Sequence, residues 1–391
     1  MIPCLCLLEI GVRFALRIHS LQQKSLSPEP PINEALQRAL LDLASSTNSY
    51  IIFDRELGWS IRPDSRKGLN GNAYSSNRAG IRGTREYDLR PPEGVTRIAA
   101  FGPSFTHCDE VNDEETWQAL MEEANPALEV MNWGVGAYGT DQAYLRYKLH
   151  GKAYRPHIVL IGYEEDNYLR NLNRFHPFYI RQGLPLAKPM FVENDVGLEL
   201  LESPFTSAEQ LIDILINDSN RFLDMIDEDD EFYEPLRYRH TRADASYLFR
   251  LARTMLVGSL PTPAERIRAN RARFEKRTLR ILQTFVEEVQ SSGAIPIVIF
   301  FPMTKKSLLA HHEGQSPIYA DLRDRLAADG TEVVDLMPIL CERAGSNASF
   351  IDSLFAGPDG RGHYSPTANR IVSEAVLRKV HEVAATTLQA K

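Results

Sequence analysis

Residues 95–106, Val95-Thr-Arg-Ile-Ala-Ala-Phe-Gly-Pro-Ser-Phe-Thr106, decide the fold. The apolar run ending at Phe101 reads as a buried strand and Gly102-Pro103-Ser104 as a sharp turn, with a helix from Glu114 to Ala124 after it. The pattern then recurs. Leu128 to Asn132 is a short strand ahead of a helix from Asp141 to Leu149, and His157 to Gly162 is a third apolar strand. Leu279 to Ser292 leads as an amphipathic helix into Ala294 to Phe301, and Tyr319 to Ala328 precedes the strand Glu332 to Leu336. Continuous apolar strands alternating with helices predict a parallel sheet covered on both faces.

Working outward, Ile51 to Arg90 is rich in Gly, Asn, Arg and Ser and lacks helical periodicity, which predicts an extended lead-in. Between the third and fourth strands, about Pro189 to Asn270 reads as helical, strand-poor and acidic around Asp227 to Glu231. It is expected to be a helical insertion or a cap over the carboxyl edge of the sheet. The organisation expected is an N-terminal helical segment over 1–50 and one α/β domain over 51–391 carrying the insertion at about 189–270.

The chain has 391 residues, 43% of them hydrophobic and 25% charged, enough to bury a full core. A formal net charge of −8 leaves no overall basic field for a polyanion, so no nucleic-acid partner is expected despite the local cluster from Arg266 to Arg277. Of the four cysteines, Cys4 and Cys6 are too tightly spaced to anchor zinc, and Cys108 and Cys341 stand alone. No metal site is expected. The first 18 residues are apolar but broken by Glu9, Arg13 and Arg17, short of the roughly 20 that span a bilayer. They read as the remnant of a longer anchor, as an amphipathic helix lying on a membrane, or as a helix packed on the domain. The compartment, cytoplasmic or membrane-associated and periplasmic, follows whichever holds; oligomeric state stays open.

Ligands of open α/β sheets bind at the carboxyl ends of the strands, so polar residues there carry the most information. Ser104 stands just past the first strand at a helix entry, where backbone N–H groups can stabilise an anion and where a serine can equally cap the helix. After the second strand, Asn132-Trp-Gly-Val-Gly-Ala-Tyr-Gly-Thr-Asp-Gln142 is either an ordinary glycine-rich turn or a cradle for a bound oxygen. After the third, Asn167 could donate its amide to an oxyanion, while the acids beside it read as a solvated face. Asp359-Gly-Arg-Gly-His363-Tyr-Ser-Pro366 places a histidine in a glycine-rich loop ahead of the last helix, structural or catalytic.

Taken in order, these blocks resemble the SGNH (GDSL-like) hydrolases, whose Ser, Gly, Asn and His are matched by Ser104, the Gly134 to Gly139 loop, Asn167 and His363. The chain is most similar to a bacterial subgroup with a Leu57-Gly58-Trp59 lead-in, an Asn77 to Gly83 element, a Tyr138 to Gln142 turn and a His-Tyr-Ser-Pro block, over roughly residues 51 to 385. The resemblance implies a flavodoxin-like three-layer fold with a parallel sheet. It also implies that Ser104 attacks an ester carbonyl with His363 as its base, the oxyanion being held by the Ser104 N–H, by the loop at Gly136 and Ala137, and by Asn167. Two departures stand out. Gly-Pro-Ser replaces Gly-Asp-Ser, and the acid usually three residues before the histidine is replaced by Gly360, leaving Asp359 or a backbone carbonyl to orient His363.

The function implied is hydrolysis of a small acyl ester, with an O-acetyl group on a carbohydrate as the first expectation, needing neither metal nor organic cofactor. The alternatives are transfer of the acyl group to a hydroxyl or amine, and an inactive binding module that keeps the glycine loop.

Overall fold

The expected parallel sheet is present in the computed structural model, which describes residues 8–13, 26–69, 71–195, 197–226, 229–345 and 347–389. Its strands are β1 (Thr96–Phe101), β2 (Leu128–Asn132), β3 (Ile158–Glu164), β4 (Ile295–Phe301) and β5 (Glu332–Asp335). They lie in the order β5-β4-β3-β1-β2, every neighbouring pair parallel. This is the flavodoxin-like, doubly wound arrangement, and the order reverses between β1 and β3, where open α/β sheets take their ligands. β2 to β4 are buried almost along their whole lengths, which is why Ile158 to Ile161 of β3 and Ile295 to Phe301 of β4 read as uninterrupted apolar runs, while β2 also buries Glu129 and Asn132.

The helices that place the site are α1 (Ser104–His107), α2 (Trp117–Ala124), α3 (Thr140–Leu149), α4 (Arg271–Ser291), α5 (Ala320–Ala328) and α6 (Pro366–Gln389). α4 buries Thr278, Ile281, Leu282, Phe285, Val286 and Val289, a three-to-four-residue period that forms one stripe. Each large apolar side chain on that stripe contributes about 1.5–3 kcal/mol on burial. The lead-in is extended as expected, folding into hairpins Ile51–Asp54 with Gly58–Ile61 and Arg66–Leu69 with Asn72–Ser75.

The expected insertion is corrected in extent and content. The described residues within 45–171, 188–203 and 272–391 form the sheet unit, and those within 1–44, 172–187 and 204–271 form a second compact unit. Within 188–203 an antiparallel hairpin, Met190–Asn194 with Gly197–Leu201, replaces the strand-poor segment. Its alternation of Leu198 and Leu200 with Glu199 is a strand signal obscured by the helical sequence that follows. In the second unit, fully buried Asp230 accepts N–H bonds from Arg174, Phe175 and Phe232 and from the Asn173 amide, at 2.8–2.9 Å. Burial pushes its pKa up to about 6 against those donors.

Residues 8–13 are helical; the rest of the N-terminal stretch, with Cys4 and Cys6, lies outside the described residues. Among the described residues no helix is long and apolar enough to cross a membrane.

Candidate active site

The site forms where the sheet order reverses, and glycines make room for it. β1 runs into Gly102, at φ +155°, where a Cβ would lie 2.2 Å from Thr106 Oγ1; a Cβ on Gly162 of β3 would meet the same atom at the same distance. Their absence lets Thr106 fill the gap between the two strand ends and seats α1 on the sheet. Pro103 flanks α1, where its missing N–H is tolerated, and its carbonyl accepts from Thr106 (3.1 Å) and His107 (2.9 Å).

Ser104 is not a helix cap. Its hydroxyl donates to Glu164 Oε1 at 3.2 Å, and the Phe105 N–H donates to the same oxygen at 2.9 Å. Glu164 closes β3 and is fully buried, with Arg170 Nη1 3.0 Å from its other oxygen. Burial pushes the Glu164 pKa up, with Arg170 opposing. The solvated face expected for this acidic run is therefore corrected. β3 continues two residues past Gly162 and carries Glu164 inside, Glu165 accepts from Ser307 Oγ at 2.8 Å, and Asp166 pairs with Arg170 at 3.2 Å.

His363 lies on the hairpin Phe355–Gly357 with Arg361–Tyr364, which packs against α1; its ring is 5.0 Å from that of Phe105. Nδ1 is 3.5 Å from Glu110 Oε2, and the His363 backbone N–H donates to that oxygen at 2.7 Å. Gly362 makes the approach possible, since a Cβ there would fall 2.3 Å from the same carboxylate oxygen. Burial disfavours a charge on His363, but Glu110, Asp109 and Glu164 outweigh it and lift the imidazole pKa above its ordinary value. Glu110 is held below the usual carboxylate range, chiefly by His363. Among the described residues Ser104 and His363 share no hydrogen bond, because the hydroxyl is aimed at Glu164.

Asp359, expected to orient His363, is not brought to it. It occupies a left-handed position (φ 58°) in the turn Pro358–Gly360, is exposed, and among the described residues makes no hydrogen bond to His363. The acid at the imidazole is instead Glu110, 253 positions away in sequence. Its only sequence signal is the acidic pair Asp109-Glu110 close behind Ser104.

The glycine loop is braced from several sides. Val135 N–H donates to the Gly102 carbonyl at 2.9 Å, and Gly134 packs on the His107 backbone, where a Cβ would lie 2.3 Å from the amide nitrogen. Trp59 Nε1 donates to the Gly136 carbonyl (3.1 Å), the Tyr138 hydroxyl to the Trp59 carbonyl (2.6 Å), and the Gln142 amide to the Leu57 carbonyl (2.7 Å). The Leu-Gly-Trp and Tyr-Gly-Thr-Asp-Gln motifs thus clamp the loop between them. Ala137 is held at φ 66°, and among the described residues the N–H groups of Ser104, Gly136 and Ala137 have no acceptor. Asn167 is fully buried. Its amide donates to the Tyr138 carbonyl at 3.3 Å, and its carbonyl accepts the Glu164 N–H at 2.5 Å, tying loop to strand end.

Arg82, from the Asn77 to Gly83 element, secures the segment after Ser104. Buried to 5% exposure, it donates to the carbonyls of His107, Cys108 (2.5 Å) and Val111 (2.6 Å) and pairs with Asp113 at 3.1 Å. Cys108 and Glu110 both hold positive φ, 64° and 71°, in this stretch. His107 Nδ1 bonds Asp109 at 2.5 Å and Nε2 meets the Tyr50 hydroxyl at 3.0 Å. Burial lowers the His107 pKa, and, against its own burial, Asp109 is held far below the usual carboxylate range by His107.

No family model and no curated protein matches the chain. Solved structures that overlay on it include the acetyl xylan esterase AlAXEase (14% identity, TM-score 0.38, covering 73% of this chain and 99% of that one). The α/β hydrolase LAE5 from the metagenome of Lake Arreo, Spain, overlays at 11% identity and TM-score 0.39, covering 73% and 94%. A member of the lipolytic protein G-D-S-L family from Veillonella parvula overlays at 10% identity and TM-score 0.33, covering 73% and 97%. Overlays of this extent leave the chemistry to be argued from the residues.

Proposed function

We propose that the chain is a serine esterase of the SGNH kind that hydrolyses a small acyl ester, with an O-acetyl group on a carbohydrate as the preferred substrate. The observation that carries this reading is the convergence of Ser104, His363 and Glu110 at the carboxyl edge of the sheet, beside unpaired N–H groups of Ser104, Gly136 and Ala137.

In the reaction, Ser104 Oγ bonds to the ester carbonyl carbon while its proton passes to Nε2 of His363, the nitrogen turned away from Glu110. The negative charge on the carbonyl oxygen is met by the Ser104, Gly136 and Ala137 N–H groups and the second Asn167 amide proton. Collapse breaks the bond to the alcohol, which leaves with the His363 proton. Water then adds to the acyl-enzyme, giving a proton to His363, and Ser104 departs with it. Glu110 stabilises the imidazolium in both halves. The hydroxyl must turn from Glu164 toward His363 on substrate binding, a closing of catalytic hydrogen bonds common on passing from apo enzyme to complex.

The Ser104–Glu164 hydrogen bond favours a second reading, in which Glu164 itself takes the serine proton. Turnover of p-nitrophenyl acetate by the wild type and by Ser104→Ala tests the central claim, with thermal melting as a control. Activity lost at unchanged melting temperature supports it; wild-type turnover in the alanine variant removes Ser104 as nucleophile.

A further inference from the structure

The sheet unit holds a groove of about 770 Å³ whose lining ends at Gly362, the residue before His363; its size takes a drug-sized molecule and far exceeds an acetyl group. One wall is the segment after β4, with Met303, Lys305, Lys306 and Leu309; the other is the Gly360 to Gly362 strand edge that leads directly into His363. The Tyr364 hydroxyl joins the walls by donating to the Pro302 carbonyl at 2.8 Å, and Lys305 pairs with Asp352. A Cβ on Gly360 would lie 2.9 Å from the Lys305 stem, so the glycine lets that wall close.

The lining is uneven in charge. Lys305, Lys306 and Arg361 face one acid of the lining, Glu313, in a chain whose net charge is −8. Lys305 is engaged by Asp352, but Lys306 and Arg361 are exposed and, among the described residues, have no acidic partner. Partly buried Met303 and Ala310 provide an apolar floor. In the reaction above, His363 protonates the leaving alcohol, and the groove lining reaches Gly362, the residue before it, which assigns the groove to the alcohol's side of the ester.

We infer that this groove binds the alcohol half of the substrate and that this half is an anionic, carboxylate-bearing glycan, held by Lys306 and by the planar fork of Arg361. The inference rests on the esterase reading and specifies its substrate class. Local cations in a negatively charged protein draw the anion to this one edge, and sugar C–H faces lie on the apolar floor.

The test compares O-acetylated oligogalacturonate with O-acetylated xylo-oligosaccharide of equal length, using wild type and Lys306→Ala/Arg361→Ala. The wild type is expected to favour the anionic substrate in kcat/KM by about tenfold, the double variant and about 0.5 M salt each bringing the ratio close to one. Equal kcat/KM for the two substrates in the wild type, or a preference that survives the double substitution, overturns the inference. Calorimetry of deacetylated oligogalacturonate with Ser104→Ala separates the groove from the chemistry. Binding lost on adding the two groove substitutions supports the groove even if no ester is turned over, and no binding to Ser104→Ala overturns it.

Discussion

Glu110 Oε2 stands 3.5 Å from His363 Nδ1 and also accepts the His363 backbone N–H, so one carboxylate fixes both the position of the residue and the charge preference of its ring. With Glu110 in this place, Glu110→Gln is expected to lower kcat about 10²-fold or more. The pH profile carries the sign. In the proposed mechanism His363 acts as the neutral base, so activity is expected to fall as pH drops through its raised pKa. Removing Glu110 removes support for the imidazolium and lowers that pKa, so the acidic limb must move to lower pH while the plateau falls. An acidic limb that stays in place shows that Glu110 is not coupled to the base.

Asp359→Asn is expected to change kcat/KM by no more than about twofold, because an exposed carboxylate that does not reach the imidazole adds little to it. A loss of 10²-fold in steady-state turnover would return the acid's role to Asp359.

Glu164→Gln separates the two bases. The amide keeps an oxygen to accept from Ser104 and Phe105 but cannot take a proton. With His363 as base, kcat in the variant stays within about tenfold of wild type and the acidic limb moves to lower pH, since one of the carboxylates supporting the imidazolium has been neutralised. Loss of turnover to the level of Ser104→Ala, at an unchanged melting temperature, assigns the proton transfer to Glu164.

Arg82→Ala leaves three backbone carbonyls of the segment after Ser104 without their buried donor, at a cost of about 3 kcal/mol in chemical unfolding. Arg82→Lys restores a charge but not the fork, so it is expected to recover only part of that loss. Full stability in both variants would show that other groups hold this segment.

Much of the fold was legible because β1 to β4 are buried along nearly their whole lengths and are therefore mostly apolar, with glycine turns after β1 and β2 to mark their ends. As candidates, Ser104 and His363 stood out in the sequence as polar residues at a strand end and in a glycine-rich loop. Glu110 was not, because its partnership depends on a hairpin 253 residues away and on Gly362 lacking a side chain. Glu164 was hidden for another reason: in a run of three acids, only the point at which β3 stops determines which one is carried inside. The hairpin at 190–201 was masked by its helical surroundings, and a local alternation of two leucines was its only mark.

The most direct measurement is mass-spectrometric mapping of a fluorophosphonate probe on the intact protein. A single adduct on Ser104 is expected, absent from Ser104→Ala and slowed by about 10²-fold or more in His363→Ala. A protein that takes no label, or one labelled at another residue and equally in Ser104→Ala, would contradict it.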